Sequence, residues 1–119
     1  MAKLSPKQIQ LLNSLAVMQI SCGRPSAALP LLHLSYHVAP DIPRTCYLLA
    51  NVYHRLGNSA QSELFFRFFE ENNKTRLSTK ELLLKSVIAM KAGLFKEAKQ
   101  TFRIALKSVS GLPRKSIGT

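Results

Sequence analysis

Three glycines divide the chain into segments of nearly equal length. Gly23, Gly57 and Gly93 lie 34 and 36 residues apart, and each one separates two stretches with helical periodicity. A glycine at such a point is typical of a helix end, because it adopts the left-handed backbone conformation that closes a helix without steric cost. The spacing therefore predicts three consecutive helix–turn–helix units.

The residues after each glycine follow the tetratricopeptide period, in which two antiparallel helices make a unit of about 34 residues. In that pattern a small residue, a large apolar residue and a second small residue follow the glycine in order. Gly93 is followed by Ala98, Phe102 and Ala105, whereas the second unit departs from the pattern at Phe69. We predict an all-α fold of three tetratricopeptide-like helix–turn–helix repeats that form a short right-handed solenoid.

Capping signals predict where the helices begin and end. The expected ranges are 6–22, 25–39, 43–57, 59–73, 78 to about Gly93, and 95–108. Pro30 falls inside the second range, where it predicts a bend or a late helix start. We assign residues 1–108 to the repeat domain and 109–119 to a basic, disordered tail.

The charge of the chain is strongly positive. Seventeen Lys and Arg face six Asp and Glu, which gives a net charge of +11, and both halves of the chain are basic. Such a field attracts acidic proteins, nucleic acid or anionic membranes, and it does not select among them. The sequence has no apolar run that resembles a secretory signal or a membrane span, so we expect a cytoplasmic protein without membrane insertion.

Side chains that could carry chemistry are few. His33 and His37 lie four residues apart, a spacing found in zinc sites, but no further ligand lies nearby in the sequence. We expect both histidines to be ordinary interfacial residues. Cys22 and Cys46 are expected to be small buried residues with free thiols, because stacked first helices would hold them about 15 Å apart. We therefore expect no enzyme activity, no cofactor and no metal.

The repeat register predicts an inner face, which is lined by the first helix of each unit. Its expected members are Gln10, Asn13, Val17, Ile20 and Ser21, then Tyr47, Asn51, His54 and Arg55, then Lys80, Leu83, Val87, Met90 and Lys91. The apolar members suit an amphipathic helix of a partner protein. We expect Tyr47 to lie open in the middle of this face and to be its main contact residue, so that its truncation would weaken binding without changing helix content.

The segment LFFRFFEE, residues 64–71, has more apolar residues than one buried helix face requires. Phe66 and Phe69 take the inward positions of the repeat. We expect Phe65 and Phe68 to be partly exposed in the lone protein and to form a second contact surface for the partner. The alternative is a helix that packs against neighbours on both sides, in which case both rings belong to the core.

Residues 4–32 carry a more specific set of features. A Gln-bearing first helix contains a Leu-Leu pair, Gln19 is followed by Cys22 and Gly23, and Ala28 precedes a second Leu-Leu pair. This stretch resembles the start of the YscY (SctY) family of type III secretion, and the later glycine-centred blocks fit the three-repeat plan of that family. The chain differs from the family in its lack of Trp, its strong basicity and its Phe-rich fourth helix.

The resemblance implies a function as a cytoplasmic chaperone. Members of that family form a heterodimer with a small secreted protein, YscX (SctX), and the pair engages the cytosolic domain of the export gate. Translocator chaperones of the SycD type and needle-subunit chaperones use similar repeats and are the near alternatives. A helical-repeat protein that binds RNA is an alternative of another class, which we disfavour because no recurring base-reading pair appears.

Overall fold

The computed structural model describes residues 4–110, and within them the backbone forms six α-helices and no β-strand. The helices are α1 (Pro6–Ser21), α2 (Pro25–Val38), α3 (Pro43–Arg55), α4 (Ser59–Asn72), α5 (Thr79–Lys91) and α6 (Phe95–Ser110). The all-α prediction is confirmed. Helix α6 continues past the predicted domain boundary at residue 108, and the rest of the predicted tail lies outside the described residues.

Local signals explain where the helices begin. The Ser5 hydroxyl accepts a hydrogen bond from the Gln8 N–H at 3.2 Å, and the Gln8 side chain accepts one from the Ser5 N–H at 2.7 Å. Ser78 and Glu81 form the same capping box at the start of α5. Pro30 lies inside α2, which already begins at Pro25, so the late start considered for this helix is wrong.

The three glycines end the first helix of each pair in the same way. Gly23, Gly57 and Gly93 have φ angles of 77°, 80° and 82°. At the second glycine, the Gly57 N–H donates to the His54 carbonyl at 3.1 Å and the Asn58 N–H donates to the Tyr53 carbonyl at 2.9 Å. The other two caps repeat this Schellman motif. The predicted role of the glycines is therefore confirmed.

Within the described residues the helices pack in two compact units, residues 4–74 and 75–110. In the first unit α1 packs with α2, α3 packs with α4, and α3 also packs against both α1 and α2. In the second unit α5 packs with α6. Three helix pairs are thus present in the described residues, as the glycine spacing predicts.

Small residues lie where the two helices of a pair approach closely. The Ser62 hydroxyl of α4 donates to the Ala50 carbonyl of α3 at 2.9 Å. In the second unit the roles are exchanged, since the Ser86 hydroxyl of α5 donates to the Ala98 carbonyl of α6 at 2.9 Å. A buried serine at either position therefore satisfies its hydroxyl across the helix pair, and a larger side chain would separate the helices.

The two cysteines have different environments. Both thiols are free, as predicted, but only Cys46 is buried. Cys22 is exposed, so the expectation that it is a small core residue is wrong. The reason is its place at the C-cap of α1, where the chain leaves the packed face of the helix.

Candidate partner-binding site

An apolar stripe lies open on α5. Leu83, Val87 and Met90 are 39%, 41% and 52% exposed. Their spacing places them on one side of the helix, and the exposed residues Lys80 and Lys91 flank them. The sequence predicted these residues for the inner face, and the structure confirms that they are accessible. A stripe with this spacing can receive the apolar side of another helix.

The inner-face residues of the first unit present a more polar surface. Val17 on α1 is half-buried, as are Asn51 and His54 on α3. The Arg55 Nε donates to the Asn51 Oδ1 at 2.8 Å, which fixes the orientation of both side chains. This part of the predicted face therefore offers hydrogen-bonding groups beside a single aliphatic side chain.

Three residues predicted for the inner face are buried instead. Asn13, Ile20 and Tyr47 all lie in the core of the first unit. The Asn13 Nδ2 donates to the Thr45 Oγ1 at 3.0 Å, and the Tyr47 ring lies 5.6 Å from the ring of Phe69. The expectation that Tyr47 stands open as the main contact residue is therefore wrong. Asn13 is covered where α3 packs against α1, and Tyr47 is covered where α4 packs against α3.

A depression of about 640 Å³ lies beside α1 and the start of α3. Its lining residues are Pro6, Ile9, Gln10, Asn13, Ser14, Val17, Ile42 and Arg44. The other lining residues are uncharged, both apolar and polar, and Arg44 gives the depression a cationic edge. Ile42 and Arg44 could not be predicted for this site from the sequence, because they flank Pro43, where no helical periodicity has yet been established.

An aromatic cluster surrounds Phe65 in the first unit. The Phe65 ring is only 6% exposed and contacts the rings of His33, Tyr36, Tyr53 and Phe68. The prediction of an exposed Phe65 is wrong, since α2 and α3 both supply side chains that cover it. Phe68 is half-buried, so its predicted partial exposure is confirmed.

His33 and His37 are both exposed, and His33 has a specific hydrogen-bond partner. Its Nε2 lies 2.7 Å from the Tyr53 hydroxyl, within hydrogen-bond distance. In residues 4–110 no three His, Cys, Asp or Glu side chains come together in a way that could hold a metal ion. None of the helices in this part of the chain is long and apolar enough to cross a membrane.

No known protein-family model matches the sequence, and no curated protein matches it significantly. The accessible stripe on α5 is therefore the observation in the described residues from which a function can be proposed.

Proposed function

We propose that this chain is a tetratricopeptide-like solenoid protein that holds a segment of another protein. In this proposal it serves as a cytoplasmic chaperone for a small secreted partner of a type III secretion system. Two kinds of observation support the repeat assignment. The three glycine caps share one hydrogen-bonding pattern, and the second and third helix pairs share a small-residue crossing. The resemblance of residues 4–32 to the YscY family supports the chaperone assignment.

The apolar stripe on α5 is the observation that carries the binding proposal. Leu83, Val87 and Met90 leave about two turns of apolar surface in contact with water. A protein gains free energy when such a stripe is covered, since each Å² of buried apolar surface contributes about 25 cal/mol. A partner helix with apolar side chains at matching turns would cover all three residues together.

The proposed partner is a small YscX-like protein that forms a heterodimer with this chain. In the proposed pathway the heterodimer delivers its secreted member to the cytosolic domain of the export gate. The basic character of the chain favours an acidic partner or an acidic docking surface on the gate.

Co-expression with the YscX-like protein of the same cell tests this proposal. We expect a stable one-to-one complex by size-exclusion chromatography with light scattering. Val87→Asp should weaken the complex by at least about tenfold in calorimetric titration, because it places a carboxylate in an apolar contact. Leu56→Asp is the matched control, since Leu56 is 42% exposed and Val87 is 41% exposed. The control should change the affinity by less than about twofold.

Equal affinities of the Val87→Asp and wild-type proteins for the partner would show that the binding site does not lie on this side of α5. Failure to form any complex, together with RNA binding that falls steeply as the salt concentration rises, would favour the RNA-binding alternative. Circular dichroism of each variant should show unchanged helix content, since both residues are partly exposed.

A further inference from the structure

A second depression lies entirely within the α5–α6 unit and has a distinctive lining. Its volume is about 710 Å³, and it is lined by Arg76, Leu77, Leu82, Lys85, Ile104, Lys107 and Ser108. We call it the basic pocket. Its lining residues comprise three basic and three aliphatic side chains, with no carboxylate. The hydroxyls of Thr79 and Ser108 lie 2.8 Å apart, which ties the start of α5 to the end of α6 beside the pocket.

The side chains of the basic pocket form two zones. Leu82 is buried and Leu77 is half-buried, so they provide an apolar floor, and Ile104 adds an exposed apolar wall. Arg76 and Lys107 are exposed and bring positive charge to the rim. A ligand that matches both zones carries a negative charge next to an apolar group. An arginine also binds carboxylates with two parallel hydrogen bonds.

The wider charge of this unit favours a negatively charged occupant. Residues 75–110 contain eight Lys and Arg but only two acids, Glu81 and Glu97. The Glu81 side chain accepts a hydrogen bond from the Ser78 N–H in the capping box. A second copy of this chain would bring the same excess of positive charge, and residues 111–119 add Arg114 and Lys115. Neither one complements the basic pocket.

We propose that the basic pocket binds an acidic segment of a partner protein, in which carboxylates flank an apolar side chain of about leucine size. The carboxylates pair with Arg76 and Lys107, and the apolar side chain contacts Leu77 and Ile104. Nucleic acid fits less well, since its bases bind by stacking on aromatic rings and this lining has none. This site uses a different side of α5 from Val87 and is independent of the binding proposal above.

Nuclear magnetic resonance titrations of the full chain with short peptides test the proposal. The probe is the peptide EELEE, and the comparison peptides are EESEE, which lacks the apolar side chain, and KKLKK, which has the opposite charge. EELEE should shift the amide signals of residues 76–77 and 104–108. EESEE should bind at least about tenfold more weakly because the apolar contacts are lost, and KKLKK should not bind.

Charge-reversal variants locate the site. Arg76→Glu combined with Lys107→Glu should weaken EELEE binding by at least about tenfold, since two charge-assisted contacts become repulsive. The matched control reverses Lys80 and Lys91 in the same way, which gives the same net charge but alters another side of α5. This control and Val87→Asp should each change the affinity by less than about threefold.

Three results would overturn the proposal. Equal losses of affinity in the two charge-reversal pairs would show unspecific attraction to a basic protein. Inorganic phosphate that produces the same signal shifts as EELEE at the same concentration would show a simple anion site. Undetectable binding of EELEE to the wild-type chain would show that the basic pocket does not recognise acidic segments. All the altered residues are exposed, and circular dichroism of each variant verifies that the helices remain formed.

Discussion

Replacement of Phe65 by alanine should remove the centre of the aromatic cluster in the first unit. The Phe65 ring lies 5.3 Å from the ring of Tyr36, 5.8 Å from Tyr53 and 6.0 Å from His33, measured between ring centroids. These partners come from α2 and α3, whereas Phe65 belongs to α4. Truncation of this side chain would therefore weaken the contacts that α4 makes with both helices.

The loss of stability can be worked out from burial. A fully buried phenylalanine that is truncated to alanine lowers the free energy of unfolding by about 3–5 kcal/mol, which includes the cavity that remains. Each well-placed aromatic pair contributes about 0.5–1.5 kcal/mol beyond the burial of its area. We expect a loss near the upper end of the range for Phe65→Ala. Phe68 is half-buried and stacks on Tyr36, so Phe68→Ala should cost about 1–2 kcal/mol.

Urea unfolding followed by tyrosine fluorescence measures this difference. All three tyrosines, Tyr36, Tyr47 and Tyr53, belong to the first unit, and the chain has no Trp, so the signal reports that unit alone. With a slope of about 2 kcal/mol per M, a loss of about 4 kcal/mol moves the midpoint by about 2 M. A Phe65→Ala midpoint equal to that of Phe68→Ala would refute the assignment of Phe65 to the core.

Two further predictions concern the first unit. Burial raises the pKa of the Cys46 thiol to about 11 from its ordinary 9.0, with a smaller contribution from Asp41. Iodoacetamide should therefore label Cys22 in the native protein and Cys46 only after unfolding. Between these pKa values the Cys46 thiol is protonated in the folded protein and ionised in the unfolded protein. The free energy of unfolding should therefore fall as the pH rises from about 9 to about 11, and Cys46→Ala should lack this contribution. Leu49→Ala should lower the free energy of unfolding by about 2–5 kcal/mol, because Leu49 is fully buried. Leu15 lies 34 residues earlier and is exposed, so Leu15→Ala should lower it by less than about 1 kcal/mol. Similar urea midpoints for the two variants would contradict this difference.

The helix boundaries could be predicted because they depend on a few neighbouring residues. A glycine with positive φ, a proline in the first turn and a serine that caps the helix each act through backbone geometry within about one turn. The capping box at Ser78 and the glycine cap at Gly93 are therefore found where the sequence places them.

Burial could be predicted less well, because it depends on which helices become neighbours. The periodicity of α4 placed Phe66 and Phe69 inward, and both are buried. It could not show that Tyr36 and Tyr53, which are distant in the sequence, would also cover Phe65. The basic pocket was missed for a related reason. Arg76 lies before α5 and Lys107 lies near the end of α6, and only the packing of this pair brings them to one depression.

Residues at the same distance from the three cap glycines differ in burial. Asn13, Tyr47 and Leu83 each lie ten residues before a cap glycine. Asn13 is buried where α1 meets α3 and Tyr47 where α3 meets α4, whereas Leu83 is exposed on α5 beside Val87. A single exposed leucine is common on protein surfaces and needs no explanation. Three exposed apolar residues in one line on α5 are the basis of the proposed contact with a partner helix. In the proposed function, the position that is buried in the first unit contacts the partner helix on α5.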